Sequence, residues 1–136
     1  MKISAKSEYA CLALLALARQ AADDPPVRIR EISEGHGIPE RYLVQILLQL
    51  KGAGLVSSTR GASGGYRLAR PAASISLAEV LTAIDGPDAP PRTGQRPAAR
   101  ALAAVWAHVR AAEHAVLDQT SIAQIAELTA PREWVI

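Results

Sequence analysis

A mainly α fold carrying one small β-hairpin is what three features of this 136-residue chain predict: two short helices around a tight turn, then a glycine-rich hairpin, then a long alanine-rich helix. The hairpin is the stretch Leu55-Val-Ser-Ser-Thr-Arg-Gly-Ala-Ser-Gly-Gly-Tyr-Arg-Leu-Ala-Arg70. Leu55 to Thr59 and Tyr66 to Ala69 alternate as strands do, with Tyr66 and Leu68 on one face and Arg67 on the other. Gly61, Gly64 and Gly65 supply the backbone freedom of the tip. Between Lys51 and Arg70 lie four cations, Lys51, Arg60, Arg67 and Arg70, and no carboxylate. A local field of that sign attracts phosphate even though the chain's net charge is only +2. Taken alone, the segment reads equally as a solvated hairpin. Its neighbours favour a nucleic-acid-binding wing.

The elements follow in order. Tyr9-Ala-Cys-Leu-Ala-Leu-Leu-Ala-Leu-Ala18 is a helix apolar nearly all round, so its Cys11 is expected to be a packing residue rather than a reactive thiol. From Val27 a short helix follows, with Ile29, Ile32 and Ser33 on one face and Gly35 and Gly37 as its stop. Ile38 is a turn core residue, and Pro39 suits the first position of a second helix. There Leu43, Ile46, Leu47 and Leu50 recur at three- and four-residue spacing, leaving Glu40, Arg41, Val44 and Gln45 to point away from the core. Two helices joined by a short glycine-containing turn make a helix-turn-helix, whose second helix meets base edges in the major groove with its N-terminal residues. Arg41, Tyr42 and Gln45 are therefore the recognition candidates. Arg pairs bidentately with guanine and Gln with adenine.

Beyond the wing, Ser76 caps a helix ending at Gly86, with Glu79 as capping-box partner. Pro87 to Pro97 is a proline-rich loop, since Pro87, Pro90, Pro91 and Pro97 forbid regular structure over most of it. Ala98 to Gln119 then reads as one long helix with Leu102, Val105, Trp106, Val109, Ala112 and Val116 in a stripe. Such a stripe needs a partner, either its own domain or the same helix of a second copy; the length favours a homodimer. Thr120 or Ser121 caps a last helix, Ile122 to Leu128. The organisation expected is thus a winged helix-turn-helix domain over 1–86, a flexible loop over 87–97, and a dimerisation helix with a short C-terminal helix over 98–136.

Composition narrows the function classes. With 49% hydrophobic residues the chain can bury a real core. No run reaches the roughly 18 apolar residues of a membrane span, and no signal peptide opens the chain, so a cytoplasmic protein is expected. Phenylalanine is absent and aromatics are 4%, which argues for duplex DNA over stacking on single strands. The three histidines, His36, His108 and His114, are far apart or six residues apart, a spacing that does not place two ligands on one helix face. There is no phosphate loop, dinucleotide fingerprint or nucleophile elbow. No enzyme, metal site or cofactor is expected.

The opening Met1-Lys-Ile-Ser-Ala-Lys-Ser-Glu-Tyr-Ala10, the Gly37-Ile-Pro element, Tyr42-Leu-Val-Gln-Ile-Leu, Leu50-Lys-Gly-Ala-Gly-Leu-Val and Ser57-Ser-Thr-Arg-Gly-Ala-Ser-Gly-Gly-Tyr66 together resemble the Rrf-two family of bacterial winged-helix regulators. The resemblance spans most of the chain. It implies a homodimeric repressor with a long crossing dimer helix, acting on a pseudo-palindromic operator. Lys2, Ser4 and Lys6 would lie near phosphates, Arg41, Tyr42 and Gln45 in the major groove, and Arg60 in the minor groove. Arg28, Pro39, Glu40, Lys51, Gly61, Ser63, Gly64, Gly65 and Tyr66 complete the expected DNA-binding set, and Leu102, Val105, Trp106, Val109 and Val116 the dimer interface. Cluster-binding members of this family carry three cysteines in the loop before the dimer helix, where this chain reads Asp85-Gly-Pro-Asp-Ala-Pro-Pro-Arg-Thr-Gly-Gln-Arg-Pro-Ala-Ala-Arg100. Clusters are held chiefly by thiolates, so none is expected here. The signal is then open among a small-molecule effector, oxidation of Cys11, a partner protein, or none. The alternative function is a winged-helix interaction module that regulates a partner enzyme.

Overall fold

A computed structural model describes residues 2–87, 89 and 93–129. Six helices and one hairpin follow in the order α1 (Ala5–Ala18), α2 (Ile29–His36), α3 (Glu40–Gly52), β1 (Val56–Thr59), β2 (Gly65–Leu68), α4 (Leu77–Asp85), α5 (Pro97–Gln119) and α6 (Ile122–Thr129), with a 3-10 turn at Ala72–Ser74. The strands pair antiparallel, Val56 opposite Leu68 and Thr59 opposite Gly65. Val27 adds a third strand position through reciprocal bonds with Tyr66, at 2.9 and 2.8 Å. Among the described residues no helix is long and apolar enough to cross a membrane.

Local chemistry fixes the boundaries. Ser4 caps α1 by accepting from the Ser7 amide at 3.0 Å. Gly37 ends α2 at φ 65°, a left-handed conformation that suits glycine. Gly35, expected to share in that stop, lies inside the helix, and the left-handed residue that ends it comes two positions later at Gly37. Pro39 is the cap of α3 rather than its first helical residue, its carbonyl accepting from Tyr42 and Leu43. In α4 the Ser76 hydroxyl accepts from the Glu79 amide at 3.2 Å, as a capping box requires, while the Glu79 carboxylate takes Arg70 at 2.8 Å. A complete reciprocal box opens α6: Ser121 Oγ accepts from the Gln124 amide at 3.1 Å, and Gln124 Oε1 accepts from the Ser121 amide at 2.8 Å.

One core unites α1 with α2, α3, α4, the hairpin and α6. Leu14, Leu17, Ile32, Ile38, Leu43, Ile46, Leu47, Leu50, Ile75 and Val80 are buried in it. This explains why α1 is apolar nearly all round: α3, α4 and α6 all pack on it. The last helix, grouped by sequence with the long helix, sends the fully buried Ile122 into this same core. It is held there by Leu77 donating to the Thr120 carbonyl and Ile122 to the Ile75 carbonyl, both at 2.9 Å. The long helix α5 differs, since it rests on α4 and buries none of its residues fully.

Candidate nucleic-acid interface

The α2 and α3 helices meet at Gly37, and Ser33 donates its hydroxyl to the Ile38 carbonyl at 2.5 Å, closing the turn. Burial of Leu43, Ile46, Leu47 and Leu50 sets the rotation of α3. At roughly 100° per residue this rotation brings Arg41 and Gln45 onto the side opposite the core, with Leu48 one turn beyond. All three are exposed, as are Glu40, Tyr42 and Val44. The Arg41 guanidinium sits 5.0 Å from the Tyr42 ring centroid, a cation–π contact that narrows the orientations Arg41 samples.

The wing packs at the far end of α3, where Lys51 meets Ser58 of β1. Its tip needs glycine for steric reasons: a Cβ on Gly64 would stand 2.1 Å from the Thr59 carbonyl oxygen, and one on Gly65 would stand 2.5 Å from that of Val27. Gly61 adopts φ 106° and accepts from the Gly64 amide at 3.0 Å. The Arg28 guanidinium, at the start of α2, donates to the Ala62 carbonyl and so braces the tip against the helix-turn-helix. Ser63 is exposed, Gly64 is buried, and the half-buried Tyr66 packs against the core.

The structure divides the cations of 51–70 into two kinds. Arg67 donates to the Asp24 carbonyl, and Arg70 pairs with Glu79 at 2.8 Å while also donating to the Ser74 carbonyl. Those two guanidiniums are tied into the fold, but only Arg70 is neutralised, so three of the four cations still contribute to the field. Lys51 is exposed and donates to Ser58 on β1 at 2.7 Å, a contact that holds the end of α3 to the wing without neutralising the charge. Arg60, at the tip, is exposed and among the described residues makes no hydrogen bond or ion pair.

At the N-terminus Lys2 is exposed and Lys6 partly so. Ser4 is committed: besides capping α1 its hydroxyl donates to Asp85 Oδ2 at 2.8 Å, and the same oxygen accepts from Ser7 at 2.6 Å. This clamp joins the start of α1 to the end of α4, and no short-range pattern announced it. On α5 the stripe faces outward. Leu102, Val105, Trp106, Val109 and Val116 are between 43 and 65% exposed in the single chain.

The comparisons with known proteins agree with this geometry. The Rrf2 family model, described as that of iron-dependent transcriptional regulators, matches residues 3–128. An HTH-type transcriptional regulator of Mycobacterium tuberculosis is 43% identical over 132 residues, which cover 93% of this chain and 81% of that protein. The HTH-type transcriptional regulator CymR of Bacillus subtilis is 34% identical over 131 residues, covering 95% and 92%. Among solved structures, CymR of B. subtilis, the global cysteine regulator of that organism, superimposes with a TM-score of 0.84 at 32% identity, over 96% of this chain and 99% of that one. IscR of T. potens gives a TM-score of 0.79 at 29% identity, over 98% and 94%.

The family description implies iron, and the donors present decide whether this chain could hold it. Cys11 is the one cysteine of the chain. It lies on α1 against the core, where burial and then the neighbouring Glu8 carboxylate push its thiol up to about 11. The loop between α4 and α5 holds no cysteine. Among the described residues no group of three or more His, Cys, Asp or Glu side chains could hold a metal ion. The donor set does not fit an iron–sulfur cluster, which needs thiolate ligands at one place. What the chain does share with these relatives is a winged helix-turn-helix with a long C-terminal helix and a family match over nearly its whole length, and it belongs to the Rrf2 family of transcription regulators.

Proposed function

We propose that this chain is a sequence-specific duplex-DNA-binding repressor that acts as a homodimer on a pseudo-palindromic operator and works without an iron–sulfur cluster. The observation that carries the reading is an exposed α3 ridge bearing Arg41 and Gln45, with the wing packed at the far end of the same helix and carrying on its glycine-built tip an Arg60 that makes no hydrogen bond or ion pair among the described residues. An α-helix fits the major groove, where Arg and Gln discriminate bases, and a lone guanidinium on a narrow tip suits the electronegative minor groove. Lys2, Lys6 and Lys51 would meet phosphate. Arg28, Gly64, Gly65 and Tyr66 shape the surface, and Pro39, Glu40, Gly61 and Ser63 border it.

Support for the homodimer comes from α5, whose apolar stripe is half exposed in one chain and self-complementary in kind. Two-fold symmetry of the protein then demands two-fold symmetry of the operator. Repression is the economical outcome, because a dimer spanning two successive major grooves blocks an overlapping promoter with no further contact. Titrating labelled duplex DNA at several salt concentrations tests the reading. The logarithm of the affinity should fall linearly with the logarithm of salt, by about 0.9 per phosphate contacted. Iron and sulfide should be absent from an anaerobic preparation that binds DNA fully; near-stoichiometric amounts would overturn the cluster-free part.

A further inference from the structure

Leu48 is 60% exposed, which is unusual for a leucine in the middle of a helix whose other leucines at 43, 47 and 50 are buried. It stands three residues after Gln45 and seven after Arg41, on the same solvent-facing ridge, and four residues after Val44, itself 42% exposed. Lys51, three residues further, is tied to Ser58 of β1, so the Val44–Leu48 edge lies on the wing side of the ridge. Two exposed aliphatic side chains thus fill the groove-facing edge between the base-reading residues and the wing. Cationic Arg41 before them and Lys51 after them would both be desolvated against an apolar protein surface, whereas duplex DNA offers phosphates to the cations.

Resting on the DNA-binding reading above, we propose that Leu48, supported by Val44, is a specificity residue that reads the C5-methyl group of thymine in each half-site. The thymine methyl is the apolar group that base edges present in the major groove. Its position follows from helix geometry. Three residues advance Leu48 by about 4.5 Å along the axis from Gln45, close to the roughly 3.4 Å step between base pairs. Where α3 runs along the groove, the thymine lies one to two base-pair steps from the pair that Gln45 contacts.

The test uses the full-length protein and an operator obtained by selection from random duplexes, in which each thymine is replaced in turn by deoxyuridine, removing one methyl and nothing else. At one thymine per half-site the wild type should lose about fourfold in affinity, the worth of one buried methyl-sized group, and the loss should multiply when both half-sites are changed. Leu48→Ala should bind thymine and deoxyuridine operators equally, and Leu48→Met should regain the preference. The inference is overturned if every deoxyuridine operator binds the wild type as tightly as the parent, or if Leu48→Ala keeps the full methyl preference. If selection yields no operator and binding is insensitive to salt, the DNA-binding reading itself falls, an outcome distinct from tight operator binding without methyl dependence.

Discussion

Replacing Asp85 by Ala should loosen the start of α1, and the structure sets the size of the effect. Asp85 Oδ2 accepts from Ser7 at 2.6 Å and from Ser4 at 2.8 Å. Ser7 is completely buried. Without the carboxylate its hydroxyl stays in apolar surroundings with no acceptor across the interface, which costs about 1 to 3 kcal/mol. Ser4 is partly exposed, so water replaces most of its bond and adds roughly 0.5 to 1 kcal/mol. A total of about 1.5 to 4 kcal/mol is a large share of a typical stability of roughly 5 to 15 kcal/mol. Asp85→Asn keeps an acceptor oxygen and should cost less than half as much. Urea unfolding followed by circular dichroism, at one protein concentration because the proposed dimer would couple stability to concentration, measures both. Ser7→Ala removes the stranded hydroxyl, so the double variant Ser7→Ala/Asp85→Ala should be at least 1 kcal/mol more stable than the sum of the singles implies, about the lower end of the orphan cost. A loss below about 0.5 kcal/mol for Asp85→Ala, additive with Ser7→Ala, would refute the reasoning, because it would mean that Ser7 finds another acceptor such as a carbonyl of its own helix.

Three further outcomes are expected. Arg60→Ala should weaken operator binding by about 1 to 3 kcal/mol at constant salt, whereas Arg67→Ala, which unties a loop contact, should show mainly as lost stability in the same unfolding assay. Trp106→Glu or Val109→Glu should give monomers, or fail to fold, in sedimentation, since either places an unpaired charge in the α5 stripe; an unaltered dimer would move the interface elsewhere. Because the folded Cys11 thiol is raised from 9.0 to about 11, its neutral form is the one that the fold favours. Iodoacetamide labelling of native protein should thus stay slow at pH 8 and accelerate only as pH climbs toward about 11. The matching contribution to stability is present below pH 9.0, is lost as pH rises through about 11, and should vanish in Cys11→Ser.

Much of the molecule was legible because it is written at short range. The 43, 46, 47, 50 periodicity gave the buried face of α3, Ser76 capped α4 as read, and the hairpin strands shifted by one residue at most. What sequence could not show lies in bonds between distant residues. Arg67 and Arg70 count as wing cations until the folded chain brings Asp24 and Glu79 beside them. Arg28 reads as one of the DNA-binding residues, yet the structure also makes it a brace for a tip 34 residues away. The Ser7–Asp85 bond spans 78 residues and has no local signature. Leu48 was within reach, since a helical wheel centred on the buried leucines puts it beside Arg41 and Gln45; an apolar residue is readily assigned to the core unless its rotation is worked out.

Selection of random duplex DNA by the purified protein tests the central claim most directly. The account predicts one enriched inverted repeat, its half-sites separated by about one helical turn of 10 to 10.5 base pairs or a multiple of it, and a relaxed preference at defined positions of each half-site when Gln45→Ala or Arg41→Ala replaces the parent. Failure to enrich any sequence, or recovery of the same motif by both variants, would contradict it.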